Sequence, residues 1–260
     1  MDPLADGQRD FDQQVCIIPA GPAAHDRTAG TSHAQQRRTG FRRPDNLRRQ
    51  RGRDLPPGVG DAEVQVIAAM LDPASSVLDL GSGVGRIANP LSELGHQITA
   101  VDDSADMLAH VRPGRTVRAR IEHLRLAEKF DAVLLASSLI NYPGVEFRRR
   151  LLATIAHHLK PEGKAIIQWR PLQWFAQRPP GRYQRSDGQM LQTMTILSNQ
   201  NGTVVGEFTL DYDDKSLTQS FEAHHVTADE LKALLKEVGM GLDTADPDSS
   251  EWLVAAPRTK

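Results

Sequence analysis

Apolar and polar positions alternate along this chain in two periods. Short apolar runs, 76–80, 97–101, 132–136 and 164–169, read as strands, and 132–136 is apolar throughout, as in a strand buried on both faces. A weaker run at 116–120 reads as a further strand. Between them lie segments of helical spacing. At 61–71, Val64, Ile67, Ala68 and Leu71 share one face before Pro73. Further helices are expected at 85–94, with Pro90 inside as a kink, at 104–110 with Ser104 as N-cap, and at 146–159. Strands alternating with helices predict an α/β fold with a doubly wound parallel sheet.

The last third reads differently. Segments 190–197, 202–210 and 217–223 are rich in Thr, Val and Phe and are separated by Asn, Asp and Gly, as in an antiparallel hairpin or meander. Thr227-Ala228-Asp229-Glu230 reads as a capping box that opens a helix over 228–238, ended by Gly239. Two closing strands are expected near 239–244 and 252–256.

The stretch with the most chemical content is Val77-Leu78-Asp79-Leu80-Gly81-Ser82-Gly83-Val84-Gly85-Arg86. A strand ends in a glycine turn, a helix follows, and a second apolar run ends in Asp102. Glycines at such a turn permit positive φ and let a ligand lie against the backbone. The turn feeds a helix N-terminus, and a carboxylate at the tip of the next strand can accept two hydrogen bonds from a ribose diol. This is the plan of a nucleoside-binding βαβ unit. The dinucleotide fingerprint G-x-G-x-x-G/A would place a small residue where Arg86 stands, so a nicotinamide enzyme is disfavoured. No P-loop pattern is present.

Asp79, Gly81, Gly83 and Gly85 match position by position the first motif of class I S-adenosylmethionine-dependent methyltransferases. The chain resembles that family. Asp102 matches its ribose-binding acid, and Ser104-Ala105-Asp106-Met107-Leu108 resembles its usual S-x-x-M-L. The resemblance implies a mostly parallel seven-stranded sheet whose last strand is antiparallel, here with an antiparallel β insertion after the fifth strand. It implies S-adenosylmethionine as cofactor, held by Asp79, Gly81, Gly83, Gly85, Arg86, Asp102, Asp103 and Met107. It also implies that Ile121 and Glu122 flank the adenine and that Ser137, with Ser138, lies along the methionine part. The corresponding domain organisation is a methyltransferase domain over 55–260 with a substrate-side insertion at 170–225.

Methyl transfer needs alignment first, and a proton acceptor only where the nucleophile is protonated. Tyr142 and His224 are the candidate catalytic groups, with His225 an alternative and Asn141 an orienting group. Adjacent strand residues face opposite sides, so at most one of the two histidines points at the cleft. His157 and His158 are expected at the surface. No His, Cys or carboxylate spacing suggests a metal.

The family's enzymes that methylate base amines carry an N/D/S-P-P-aromatic motif after the fourth strand. Here Ser138-Leu139-Ile140-Asn141-Tyr142-Pro143 lacks the proline pair, which disfavours nucleic acid as acceptor. The aromatics Trp169, Trp174, Phe175, Tyr183, Phe208, Tyr212 and Phe221 point instead to a roof over a small-molecule pocket, or to plain core packing. The expected activity is methyl transfer to a small-molecule N, O or C nucleophile. Rivals are a cofactor binder without turnover and a nucleic-acid methyltransferase; the oligomeric state is open.

Composition adds two points. The chain has one cysteine, Cys16, and no apolar run near the ~18 residues needed to span a bilayer. With no signal-peptide pattern, a cytoplasmic location is expected. Residues 1–54 hold ten arginines and no lysine, seven aspartates and no glutamate, with eight of the arginines between Arg37 and Arg53. Such a segment is expected to be disordered, either as a basic arm or as an extension without function. A truncation starting near Arg53 should keep both melting temperature and activity; loss of either on thermal melts or turnover would give the arm a role.

Overall fold

The computed structural model describes residues 61–258 apart from Pro113, residues 187–189 and residues 213–214. The Arg-rich segment 1–54 and the expected domain start at 55 therefore lie outside the described residues. Among the described residues, eleven strands fall into two sheets. The larger has seven strands, built from β1 (Ser76–Leu80), β2 (Gln97–Asp102), β3 (Arg115–Arg118), β4 (Phe130–Leu135), β5 (Leu159–Gln168), β10 (Met240–Leu242) and β11 (Trp252–Pro257). Their order is β10-β11-β5-β4-β1-β2-β3, and only β11 runs antiparallel to its neighbours. The doubly wound α/β fold with its antiparallel last strand is thus as the sequence predicts.

The helices α1 (Asp61–Ala69), α2 (Ala88–Glu93), α3 (Ala105–Leu108), α4 (Val145–His158), α5 (Leu172–Ala176) and α6 (Ala228–Glu237) complete the layers. Two apolar clusters lie against the sheet. One holds Ile67, Val77, Leu91, Ile98 and Leu134; the other holds Leu78, Leu80, Val133, Leu135, Leu151, Ile155 and Leu235. Consecutive residues of β1 (Val77, Leu78) and of β4 (Val133, Leu134, Leu135) thus feed opposite clusters, which is why apolar residues stand side by side in both strands. The capping box forms: Thr227 Oγ1 accepts the Glu230 N–H at 3.1 Å, and Glu230 accepts the Thr227 N–H at 2.7 Å.

The second sheet, β6 (Gly181–Ser186), β7 (Met190–Gln200), β8 (Thr203–Tyr212) and β9 (Lys215–His224), is an antiparallel meander inserted between β5 and α6. Its inner face presents Met194, Ile196, Val204, Phe208, Leu210, Phe221 and Ala223 to the same cluster as Trp169, Trp174, Phe175 and Tyr142. The backbone of Tyr212 lies in β8, but its side chain falls outside the described residues.

Several boundaries differ from the sequence reading for local reasons. Helical counting at α2 starts at Ala88 rather than 85, because Pro90 has no N–H to close the preceding turn. The link between the helix expected at 146–159 and the strand expected at 164–169 is itself part of β5, with a bulge: Phe130 pairs with Leu159 and Ala132 with Lys164. Gly163 permits it, since a Cβ there would sit 2.9 Å from the Phe130 carbonyl oxygen. β6 has no apolar alternation; six paired residues against β7 make it a strand. His158 is fully buried, contrary to the expected surface position. Its Nε2 accepts the Leu126 N–H at 2.8 Å, so Nδ1 carries the proton given to the Thr154 carbonyl at 2.7 Å. Burial holds its pKa below the usual value.

Candidate active site

Segments at the carboxyl ends of β1, β2, β3 and β4 each contribute to one cleft. Gly81, Gly83 and Gly85 all have positive φ. The loop they form is fastened from β2: the Gly81 and Ser82 N–H groups donate to the Val101 carbonyl at 2.8 and 2.9 Å. The Asp102 carboxylate accepts the Gly83 N–H through Oδ2 and the Ser104 N–H through Oδ1, each at 3.0 Å. Ser104 in turn caps α3 by accepting the Met107 N–H at 3.3 Å. One buried carboxylate therefore sets both the glycine turn and the start of the next helix.

A small cleft opens beside Asp102 and is lined by Gly81, Asp102, Asp103, Ala119, Arg120, Ile121, Glu122, Leu139 and Phe147. Five residues expected at a cofactor site, Gly81, Asp102, Asp103, Ile121 and Glu122, are brought together here. Ile121 and Glu122 sit on a one-turn 3-10 helix, held by Thr154 Oγ1 donating to the Ile121 carbonyl at 2.9 Å. Glu122 is ion-paired with Arg120. Ala119 and Phe147 join the lining without any sequence mark; Phe147 reads as an ordinary apolar position of α4.

Asp79, Gly83, Gly85 and Arg86 lie on the β1 side and do not line this cleft. Neither do Met107, Ser137, Tyr142 and His224. Asp79 is buried, and its Oδ2 has no hydrogen-bond partner among the described residues. The Ser82 and Ser138 hydroxyls share that condition. Burial, and secondarily the charge of Asp102, push the Asp79 carboxyl up from 3.8 to about 7. After β4, Ser137 and Ser138 both adopt left-handed backbone, with φ of 58° and 50°. Strain of this kind concentrates at working sites.

Tyr142 is buried, with its ring edge-on to Phe147 at 6.2 Å. Asn141 is a clamp rather than a free orienting group. Its Oδ1 accepts the Arg170 N–H at 2.7 Å, and its Nδ2 donates to the His224 carbonyl at 3.0 Å, tying the β4 loop to β5 and β9. The His224 ring lies on the same face of β9 as Glu222, which it meets at 2.8 Å, opposite buried Phe221 and Ala223. His225 packs its ring against Phe175 at 5.4 Å. Beyond β5, Arg170 pairs with Glu251 at 2.8 Å and stacks on Trp174, while Arg178 lies over both Trp174 and Tyr183. Among the described residues no cluster of His, Cys and carboxylates is arranged to hold a metal.

A sequence profile of a methyltransferase domain matches residues 78–167, from β1 to the end of β5. Residues 78–167, which hold the glycine turn and Asp102, are thus similar to a methyltransferase domain. A cypemycin N-terminal methyltransferase of a Streptomyces species is 33% identical over 120 residues, 44% of this chain and 46% of that protein, so the match spans about half the relative's length. The fold is shared by an S-adenosylmethionine-dependent methyltransferase from Clostridium acetobutylicum ATCC 824. Their TM-score is 0.62 at 16% identity, covering 82% of this chain and 95% of that one. The sugar N-methyltransferase KedS8 from Streptoalloteichus sp ATCC 53650 matches with a TM-score of 0.60 at 19% identity, covering 92% and 100%.

The Asp79 carboxyl gives a pH test of the site's floor. Its pKa is raised in the fold, so its contribution is full in acid and is lost as pH rises from about 4 to about 7. Relative to wild type, Asp79→Asn should gain about 1.4 kcal/mol of stability per pH unit across that window. Urea melts at pH 5 and pH 8 would show it; a difference independent of pH would contradict the assignment.

Proposed function

We propose that this protein transfers a methyl group from S-adenosylmethionine to the amine nitrogen of a small molecule. The observation that carries the reading is the cleft beside Asp102, whose carboxylate sits at the tip of β2 under a glycine turn. In this reading Asp102 and Asp103 meet the ribose, and Ile121, Glu122, Leu139 and Phe147 enclose the adenine. The glycine turn, Arg86 and Ser137 face the amino-acid end, and Met107 supports the ribose side through α3. The unpartnered Asp79 and Ser82 atoms fit that end, which brings an ammonium and a carboxylate. When bound, the cofactor would supply a methyl carbon activated by its sulfonium, and these residues would hold that carbon toward the acceptor nitrogen.

Nitrogen is favoured over oxygen by what surrounds the acceptor side. An alcohol needs a base to take its proton, whereas a free amine attacks with its own lone pair and releases the proton to water afterwards. Tyr142 is buried against Phe147, and His224 is engaged by Glu222. Both remain the candidates for any proton transfer, but an amine makes little demand on them. Relatives support the same choice: one is named for an N-terminus and another for a sugar nitrogen. The acceptor enters beneath the β6–β9 meander, which acts as the substrate-side roof over 170–225. No helix among the described residues is long and apolar enough to cross a membrane, and a cytoplasmic setting belongs to this reading.

The test is a radiolabel transfer assay of the full-length protein with S-adenosylmethionine. Amino sugars and short peptides with free N-termini would be compared with their hydroxyl counterparts. Transfer to an amine is expected, with the matching alcohol at least about a hundredfold slower. Transfer confined to hydroxyl acceptors would contradict the reading.

A further inference from the structure

Helix α1 belongs to no strand pairing, yet it sends a buried carboxylate into the network behind the site. Glu63 is 4% exposed. Its Oε2 is ion-paired with Arg86, the residue that follows the glycine turn. Its Oε1 accepts from Gln168 Nε2 at 3.2 Å, at the end of β5. Gln168 is fully buried, and its Oε1 accepts the Ser137 N–H at 2.8 Å. One carboxylate thereby reaches the loops after β1 and after β4 together.

The direction of each hydrogen bond gives the arrangement its logic. Ser137 has φ of 58°, a conformation a non-glycine residue keeps only where neighbours over-determine it. The bond from its N–H to Gln168 supplies that constraint. A side-chain amide can turn over with almost no change in shape, and the turned amide would aim its NH₂ at the Ser137 N–H. A carboxylate only accepts, so Glu63 holds the amide with its oxygen toward Ser137. An uncompensated buried carboxylate is costly, and Arg86 compensates this one while being drawn against the glycine turn. None of these residues lines the cleft beside Asp102.

We infer that Glu63 is a positioning residue for the amino-acid end of S-adenosylmethionine, holding the glycine turn through Arg86 and the Ser137 turn through Gln168. The inference rests on the cofactor reading above and adds to it a role for α1, which lies before residue 78, where the profile match begins. The adenosine end, gripped from β2 and β3, is independent of Glu63.

Two ligands separate the ends: S-adenosylhomocysteine carries the amino-acid group, and 5′-deoxy-5′-methylthioadenosine has the same adenosine and a thioether without it. Calorimetric titration of both into full-length wild type, Glu63→Gln and Gln168→Met reads the relay. Glu63→Gln is expected to weaken S-adenosylhomocysteine about tenfold or more while changing methylthioadenosine by less than about twofold. Gln168→Met keeps the ion pair and removes the amide link, so it should show the same selectivity even if Glu63→Gln fails to fold. The double variant should lose less than the sum of the singles. Equal weakening of both ligands would reduce Glu63 to general support of the fold and overturn the inference, as would no change in either. Wild type that binds neither ligand would remove the cofactor reading itself; wild type that binds both, with variants that do not discriminate, would remove only the role of Glu63.

Discussion

The structure turns on the Asp102 carboxylate. It is the last residue of β2, is buried, and accepts backbone N–H groups from the glycine turn and from the start of α3. A turn of alternating glycines has more conformational freedom than any other sequence of its length, and folding must take that freedom away. Asp102 and the Val101 carbonyl do so from the neighbouring strand. The turn is therefore fixed before any ligand arrives, which is the condition for binding without a large ordering cost. The proximity of Asp79 has an electrostatic consequence. Burial raises the pKa of the Asp79 carboxyl, and the charge of Asp102 adds to the rise.

A second fastening joins the meander to the sheet. Asn141 joins the β4 loop to the backbone of Arg170 and of His224, so the meander cannot shift without straining the strained serine turn beside it. The roof is bound to the sheet by apolar packing, with Trp169, Trp174 and Phe175 between the two sheets. On the proposed reading, cofactor side and acceptor side meet at the residues after β4, where Ser137, Ser138 and Asn141 follow one another within five positions.

Much of this was legible in the sequence, and the reasons differ by element. β1, β2 and β4 are apolar because both faces are covered, so their strands and the glycine turn between them stand out locally. Ile121 and Glu122 were reachable only through the family resemblance, since nothing in their own sequence marks them. Phe147 and Ala119 were not legible: a cleft wall contributed by a helix face, as at Phe147, looks like core, and Ala119 follows β3 without any mark of its own. β6 was hidden because its strand character comes from pairing with β7 rather than from its own residues. Asn141 and His158 looked like free polar groups because their partners, Arg170, His224, Leu126 and Thr154, include groups distant in sequence and mostly backbone. Polar contacts made to backbone leave no pattern in the side-chain sequence.

The most direct measurement is a calorimetric titration of S-adenosylhomocysteine into the full-length protein and into Asp102→Asn. The account predicts one-to-one binding by wild type in the micromolar range, weakened about tenfold or more by the substitution, which removes a charge that hydrogen-bonds the turn and faces the ribose. No binding by wild type would contradict the central claim, and undiminished binding by Asp102→Asn would contradict the place given to that carboxylate.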